Sequence, residues 1–475
     1  MTDRMHNVAK WELNTFTEFQ KKLHGKGGKV TLRFQLEVKR ASWGTNVVEK
    51  IEGTGSELPD GTSVVYPLND KFDYIMFVYL QLTIPFIKVH DKWKGNVEIC
   101  WTHNLFHNIF REGHFRKDSE SIQRSDKVWL DNHAMCFIGM DQRPMYLAKA
   151  GNIRALTKWN THLPRMSLKL PQKQWFYAKH RRVAFPLFEC TNNVVDHQYK
   201  FNLDIKALLR MRIRKDADSP WKYVDYDSRV VIGPKADGKL SIPELFGRYA
   251  SITEEEKKHI RTNSSREIYY DDIVSIDPDT EYQYGDTPSF ELNTIYPCKA
   301  IFFNAENQQA IASRYMSNYS TNSEDHLEGW NPIVSAGLTY GADKRVPELF
   351  NDHFDYIEPF FCLDTIPTEP GYNMMILAFD LPSVYGDVGS MLVDKAKLII
   401  RLGETVLYDE SNSHGLNAHG WDHEDLDVSE KLMDLIEKKD TSKTTFKIKI
   451  RLIVQRHLEF GDDGKIKLDD GRVEL

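Results

Sequence analysis

The hydrophobic period of the chain changes near residue 30. Over 8–23 the apolar residues Ala9, Leu13, Phe16, Phe19 and Leu23 recur at three- and four-residue steps, which predicts a short amphipathic helix ended by Gly25, Gly27 and Gly28. From Val30 the period is two. Val30, Leu32, Phe34, Leu36 and Val38 alternate with Thr31, Arg33, Gln35, Glu37 and Lys39, as a strand with one buried and one wet face requires. Tyr199, Phe201, Leu203 and Ile205 repeat the alternation, and so do Phe446, Ile448, Ile450, Leu452 and Val454. Two more apolar runs, 372–381 and 396–402, predict strands joined through the Pro/Gly/Ser turn cluster 382–390.

Helical signals are few. They cover 241–260, interrupted near Gly247, and 428–439, with Asp427 or Ser429 as a cap. Many β-rich runs punctuated by Gly, Pro, Asn and Asp surround them, so the pattern predicts antiparallel sandwiches or barrels with helices as excursions. The polar, Pro-punctuated stretch 215–243 predicts a linker between comparable halves, and the halves share no evident sequence repeat.

A chain of 475 residues has room for two or three domains, and 41% hydrophobic with 28% charged residues excludes a disordered or fibrous protein. The net charge of −7 argues against a general polyanion binder. Two basic clusters, Lys179/Arg181/Arg182 and Arg210/Arg212/Arg214/Lys215, are expected to be solvated strand ends. Cys100, Cys136, Cys190, Cys298 and Cys362 form no CxxC pair, which points away from a disulfide framework and towards a reducing compartment. The start of the chain lacks the apolar core of a signal peptide. The longest apolar run, 74–87, is broken by Gln81, Thr83 and Pro85 and falls short of the roughly 20 residues of a membrane span, so a soluble protein is expected.

No catalytic set emerges. The 233–240 segment has the spacing of a phosphate-binding loop, but Leu240 stands where Ser or Thr must hold magnesium, and Pro243 opposes a following helix. His414, His419 and His423 with Glu424, Asp425 and Asp427 match no strong metal spacing and fall between loop glycines. His103 and His107 stand four apart, but in β-rich surroundings that favour structural histidines. Nucleophile elbows, dinucleotide fingerprints and recognisable catalytic cysteines are missing from the sequence. Catalytic, cofactor-binding and metal residues are therefore all expected to be none. Asn263-Ser264-Ser265 and Asn318-Tyr319-Ser320 fit the glycosylation pattern but carry little weight without a signal peptide.

Taken in order along the chain, these segments resemble the double jelly-roll major capsid proteins of nucleocytoplasmic large DNA viruses and Polinton-like viruses. Residues 72–85 are similar to the family's early strand, and Trp101, Asn104 and His107 to the W-x-x-N-x-x-H strand that follows. Trp129-Leu130 resembles the next aromatic-leucine step. Leu170-Pro171 through Trp175-Phe176, then 183–187, resemble the pair that closes the first jelly roll. Tyr296-Pro297-Cys298-Lys299-Ala300-Ile301-Phe302-Phe303 resembles the N-H-P-V-K-E-L-x-W strand, with Tyr296 and Cys298 departing from it. Residues 372–402 resemble the strand, P-S-G-S turn and strand near the C-terminus, with a longer turn at 386–390, and 446–457 resembles the closing strand.

The resemblance implies an all-β fold of two consecutive eight-stranded antiparallel jelly rolls with short helices in loops and an N-terminal helix. It implies a division into an amphipathic arm (1–27), a first jelly roll (28–214), a linker (215–245), a second jelly roll (246–460) and a C-terminal tail (461–475). It further implies a structural protein of the virion, not an enzyme, assembled in the host cytoplasm or nucleus. Homotrimers would form pseudo-hexagonal capsomers of an icosahedral shell, and loops such as 53–60, 304–344 and 408–440 would form towers or clasps. Implied partners are neighbouring capsomers, minor capsid or penton proteins and an internal membrane reached through the arm, without sequence-specific nucleic acid. The alternatives are a two-domain β-sandwich binding glycans or other ligands, a capsid-like scaffold protein, and a jelly-roll metalloenzyme using 414–427.

Overall fold

Alternating apolar residues need a second surface to bury them, and in the computed structural model each half of the chain supplies two facing sheets. The structure describes residues 44–58, 61–68, 71–173, 184–233, 238–263, 267–341, 343–381, 391–403, 444–461 and 464–468. All of them lie in one unit, Gly44–Leu475. The helix expected over 8–23, the strand over 30–38, the turn 382–390 and the helix 428–439 lie outside the described residues.

In the first half one sheet runs Gly44–Ile51, Glu244–Ile252, Tyr74–Ile84, Met166–Pro171, with neighbours antiparallel. The other runs Thr54–Leu58, Gly61–Pro67, Val195–Phe201, Phe110–Lys117, Glu120–Asp126. Ile75, Val78, Leu80 and Leu82 from the first meet Val64, Tyr66, Phe115 and Tyr199 from the second in one core. In the second half, Glu267–Ile276, Phe446–Phe460, Cys298–Asn307 and Asn373–Ile376 form one sheet, and Ser289–Leu292, Ala396–Leu402, Ile333–Tyr340 and Asp343–Phe350 form the other. Phe446, Ile448, Ile450, Leu452 and Val454 point into that sandwich with Ile301, Phe303, Leu338 and Leu398. This is the double jelly roll that the sequence implied.

Several local expectations change. The 241–260 segment is a strand, Glu244–Ile252, followed by a helix, Glu254–Asn263. Leu245, Gly247 and Tyr249 are buried while Glu244, Phe246 and Arg248 turn outward, a two-residue period that the nearby acidic run masks in sequence. This strand lies between Gly44–Ile51 and Tyr74–Ile84 in the first jelly roll. The 215–245 stretch is not a bare linker either: Lys222–Val224 pairs with Leu209–Ile213, and Val231–Ile232 with Ile87–Val89. The crossing between jelly rolls therefore follows residue 252. The strand expected over 199–205 is Val195–Phe201, because Asp204 caps a short helix, Ile205–Leu208, by accepting from Lys206 N–H at 2.9 Å. The 372–381 run contributes only Asn373–Ile376, and it lies in the sheet opposite Ala396–Leu402. Among the described residues no helix is long and apolar enough to cross a membrane.

Candidate functional site: the joint between the jelly rolls and an exposed aromatic face

Every residue of the Cys298–Asn307 strand is buried, so both of its faces must be covered. Ile301, Phe303 and Ala305 point into the second sandwich. Ala300, Phe302, Asn304 and Glu306 point the other way, where the Lys127–Cys136 helix of the first jelly roll lies across them. Phe302 meets Trp129 edge-on at 5.6 Å, Asn132 and Asn304 bond each other's amides at 2.8 and 3.2 Å, and Lys127 Nζ reaches Glu306 Oε1 at 3.0 Å. Trp129, Met135, Cys136, Ile273, Ile453, Tyr319 and Tyr372 complete an apolar cluster shared by both halves.

The helix is set by Asp126, which caps it by accepting from Trp129 N–H at 2.8 Å and also ties it to the second half through Ser275 (2.8 Å) and Arg451 (2.7 Å). One turn on, the fully buried Asp131 accepts from Asn104 Nδ2 (2.8 Å), His107 Nδ1 (2.7 Å) and Tyr319 O–H (2.9 Å). With Nδ1 donating, His107 Nε2 accepts from Tyr146 O–H at 2.9 Å. Burial pushes the Asp131 carboxyl up, but the hydrogen bond from His107 and the hydroxyl donors outweigh it and hold the group below its ordinary value.

Further bonds stitch the halves together. Asn108 Nδ2 donates to Ser317 Oγ at 2.9 Å, Met316 N–H to Thr102 Oγ1 at 2.9 Å, and Arg143 to the Ile366 carbonyl at 3.2 Å. Asn304 Nδ2 donates to the Gly371 carbonyl at 2.9 Å. Only glycine fits at 371, since φ is +87° and a Cβ would fall 2.1 Å from the Tyr319 carbonyl oxygen.

The sequence candidates fare differently. His107 bonds Asp131 and Tyr146, whereas His103 faces His326 and Glu369 across the joint. In the 233–240 look-alike, Leu240 is buried in the core and Lys239 pairs with Glu57 at 2.7 Å. The 414–427 cluster and Lys179, Arg181 and Arg182 lie outside the described residues. Arg210, Arg212 and Arg214 are not merely solvated. They stack among Tyr315 (4.1 Å from Arg210), Trp159 (4.6 Å from Arg212) and Trp221 (4.5 Å from Arg214), with Arg212 also paired to Glu98. All five cysteines are unpaired. Asn318 is buried, with its amide bonded to Asn322 and Ser320, so the second glycosylation pattern is closed in the folded chain.

Sequence reasoning passed over Asp131, Asn132, Asn304 and Glu306. Their signal was present as polar residues at regular positions inside otherwise apolar segments, which is rare unless each has a partner.

A second feature is exposed. Tyr356, Ile357, Phe360 and Phe361 line the turn and helix 353–362, with Tyr356–Phe360 and Phe360–Phe361 ring contacts at 5.8 and 5.1 Å. Phe361 is 76% exposed. Phe379, 91% exposed, follows Ile376, whose N–H bonds Glu358 of the same helix. Phe350 ends the adjoining edge strand Asp343–Phe350, which Lys344, Arg345 and Pro347 protect against indiscriminate strand pairing. Aromatic residues clustered outside a core mark an association surface.

Two sandwiches of antiparallel sheets packed side by side define the class as a double jelly roll. Residues 32–228 match the family profile described as major capsid protein N-terminus. The major capsid protein of Wiseana iridescent virus is 23% identical over 384 residues, 76% of this chain and 77% of that one. That of Lymphocystis disease virus 1 is 23% identical over 393 residues, 78% of this chain and 82% of that one. The Faustovirus major capsid protein superposes with a TM-score of 0.66 at 6% identity, covering 97% and 98% of the two chains, and PBCV-1 VP54 with 0.63 at 14%, covering 92% and 98%. The chain is similar over most of its length to these major capsid proteins, which are structural components of the virion, and it shares their double jelly-roll fold.

Proposed function

We propose that three copies of this chain associate into a pseudo-hexagonal capsomer, and that capsomers tile the facets of an icosahedral shell. The observation that carries this reading is the joint itself. A capsomer of six jelly rolls keeps a hexagonal outline only if the two in each chain cannot rotate, and Asp131, Asn132–Asn304 and Trp129–Phe302 resist rotation. The aromatic face around Phe360 and Phe361 provides a contact of the kind that anchors subunit interfaces.

Light scattering and electron microscopy of the purified protein test the proposal: wild type is expected as trimers with a hexagonal outline. Phe360→Ser with Phe361→Ser should weaken association at least about 30-fold, because two buried anchors contribute at least about 2 kcal/mol together. A monomeric wild type, or trimers indifferent to the double substitution, would overturn the reading or this assignment of the contact, respectively.

Further partners in this reading are minor capsid or penton proteins, and an internal membrane met through the 1–27 arm. Its apolar stripe and the neighbouring Lys21, Lys22, Lys26 and Lys29 suit an acidic surface. Deleting residues 1–24 should leave trimers intact and impair particle assembly. Loss of the folded subunit would sink that role.

A further inference from the structure

His103, His326 and Glu369 come from three distant parts of the chain and converge at the joint, where their ligand atoms all lie within 4.8 Å of one another. His103 follows the Val97–Trp101 strand of the first jelly roll, His326 opens the turn His326–Glu328, and Glu369 lies in the loop ahead of Asn373–Ile376. His103 Nε2 is 3.8 Å from Glu369 Oε1, His326 Nε2 is 3.5 Å from Glu369 Oε2, and the imidazole centroids are 4.2 Å apart. We propose that these three side chains bind one divalent transition-metal ion, zinc by the character of its ligands, and that the ion clips the first jelly roll to the second.

The donor set suits zinc, which takes two histidine nitrogens and one carboxylate with a fourth position left over. The polar atoms are poorly served without an ion. His326 Nε2 and Glu369 Oε2 are both buried, and the 3.5 Å approach between them is too poorly formed to satisfy either as a hydrogen bond, a costly state inside a protein. Arg143, the cation that binds the same loop, commits its donors to Met135, Ile138, Thr365, Ile366 and Thr368 oxygens.

The surroundings orient the ligands. Tyr315 O bonds His326 Nδ1, and with that nitrogen protonated the lone pair of Nε2 faces Glu369. Tyr315 is itself held beneath Arg210, 4.1 Å from its ring. Asn152 lies 2.7 Å from His103 Nε2 through its amide nitrogen. Turning that amide over places a carbonyl oxygen in the same position, a fourth ligand of acceptable hardness.

The test uses the full-length protein, stripped with a chelator and reloaded with zinc or cobalt before gel filtration. Wild type should retain about one ion per chain, melt at a higher temperature with zinc than without, and show the visible absorption of tetrahedral cobalt. His326→Gln and Glu369→Gln should each cut retention at least about tenfold and abolish the zinc-dependent melting shift. The two variants guard against misfolding of either one, and circular dichroism establishes which is folded. Wild type that retains no ion and shows no shift overturns the proposal, as does retention unchanged in a folded variant. The oligomeric state enters none of these readouts, so failure here is separate from failure of the capsomer assignment.

Discussion

Replacing Phe302 with alanine is expected to lower the unfolding free energy by about 3–5 kcal/mol, the range for deleting a fully buried aromatic ring whose cavity cannot collapse. Collapse is prevented because the ring sits between a sheet and the Lys127–Cys136 helix, each fixed by its own hydrogen bonds. The loss should fall on the joint and spare the jelly roll, since Ile301 and Phe303 face into the sandwich from the same strand. Urea unfolding followed by tryptophan fluorescence and far-ultraviolet circular dichroism should therefore change from one transition into two, with most secondary structure surviving the first. A Trp129→Ala and Phe302→Ala cycle should give a coupling of about 0.5–1.5 kcal/mol from the edge-on contact. A single transition shifted by under about 1 kcal/mol would mean that the two jelly rolls do not rely on this contact.

The second large effect is expected at Asp131. Its replacement by alanine leaves the Asn104 amide, the His107 ring and the Tyr319 hydroxyl buried without their acceptor, at a cost of about 3–5 kcal/mol. Asp131→Asn, which keeps one acceptor oxygen and loses the charge, should fall between wild type and alanine. The pH dependence has a definite sign. The folded carboxyl titrates below its unfolded value of about 3.9, so its contribution is complete above that value and is lost as pH falls through the lower folded value. Glu306 acts in the same direction. Burial raises it, but the Lys127 ammonium outweighs burial and holds it below the ordinary glutamate value. Wild type should lose stability on acidification below about pH 4, and Asp131→Ala should lack part of that slope. An unchanged acid slope in urea unfolding would count against the network.

The strand framework was legible because alternation reports directly which residues face a sandwich. Ala396–Leu402 occurs as expected, and the 446–454 alternation extends to Phe460. The errors have local causes. Around 241–260 the run Glu254-Glu255-Glu256 gives helical propensity to a segment whose first part is claimed by the gap between Gly44–Ile51 and Tyr74–Ile84. At Asp204 a capping carboxylate overrides an apolar alternation.

The sequence by itself determined the class of fold, through the two-residue period, and its resemblance to the major capsid proteins, through the order of many short matches along the chain. Only the tertiary structure decided where the jelly rolls meet. Alternation says that Phe302 and Asn304 share a face, but not what covers it. Asn132 lies 172 positions before Asn304 and Asp131 188 before Tyr319, and nothing in local periodicity encodes so distant a partner. The meeting of His103, His326 and Glu369 is of the same kind. Only His103 stands out in its own segment, by its spacing from His107, and the three meet only because two separately patterned sandwiches bury a polar seam between them.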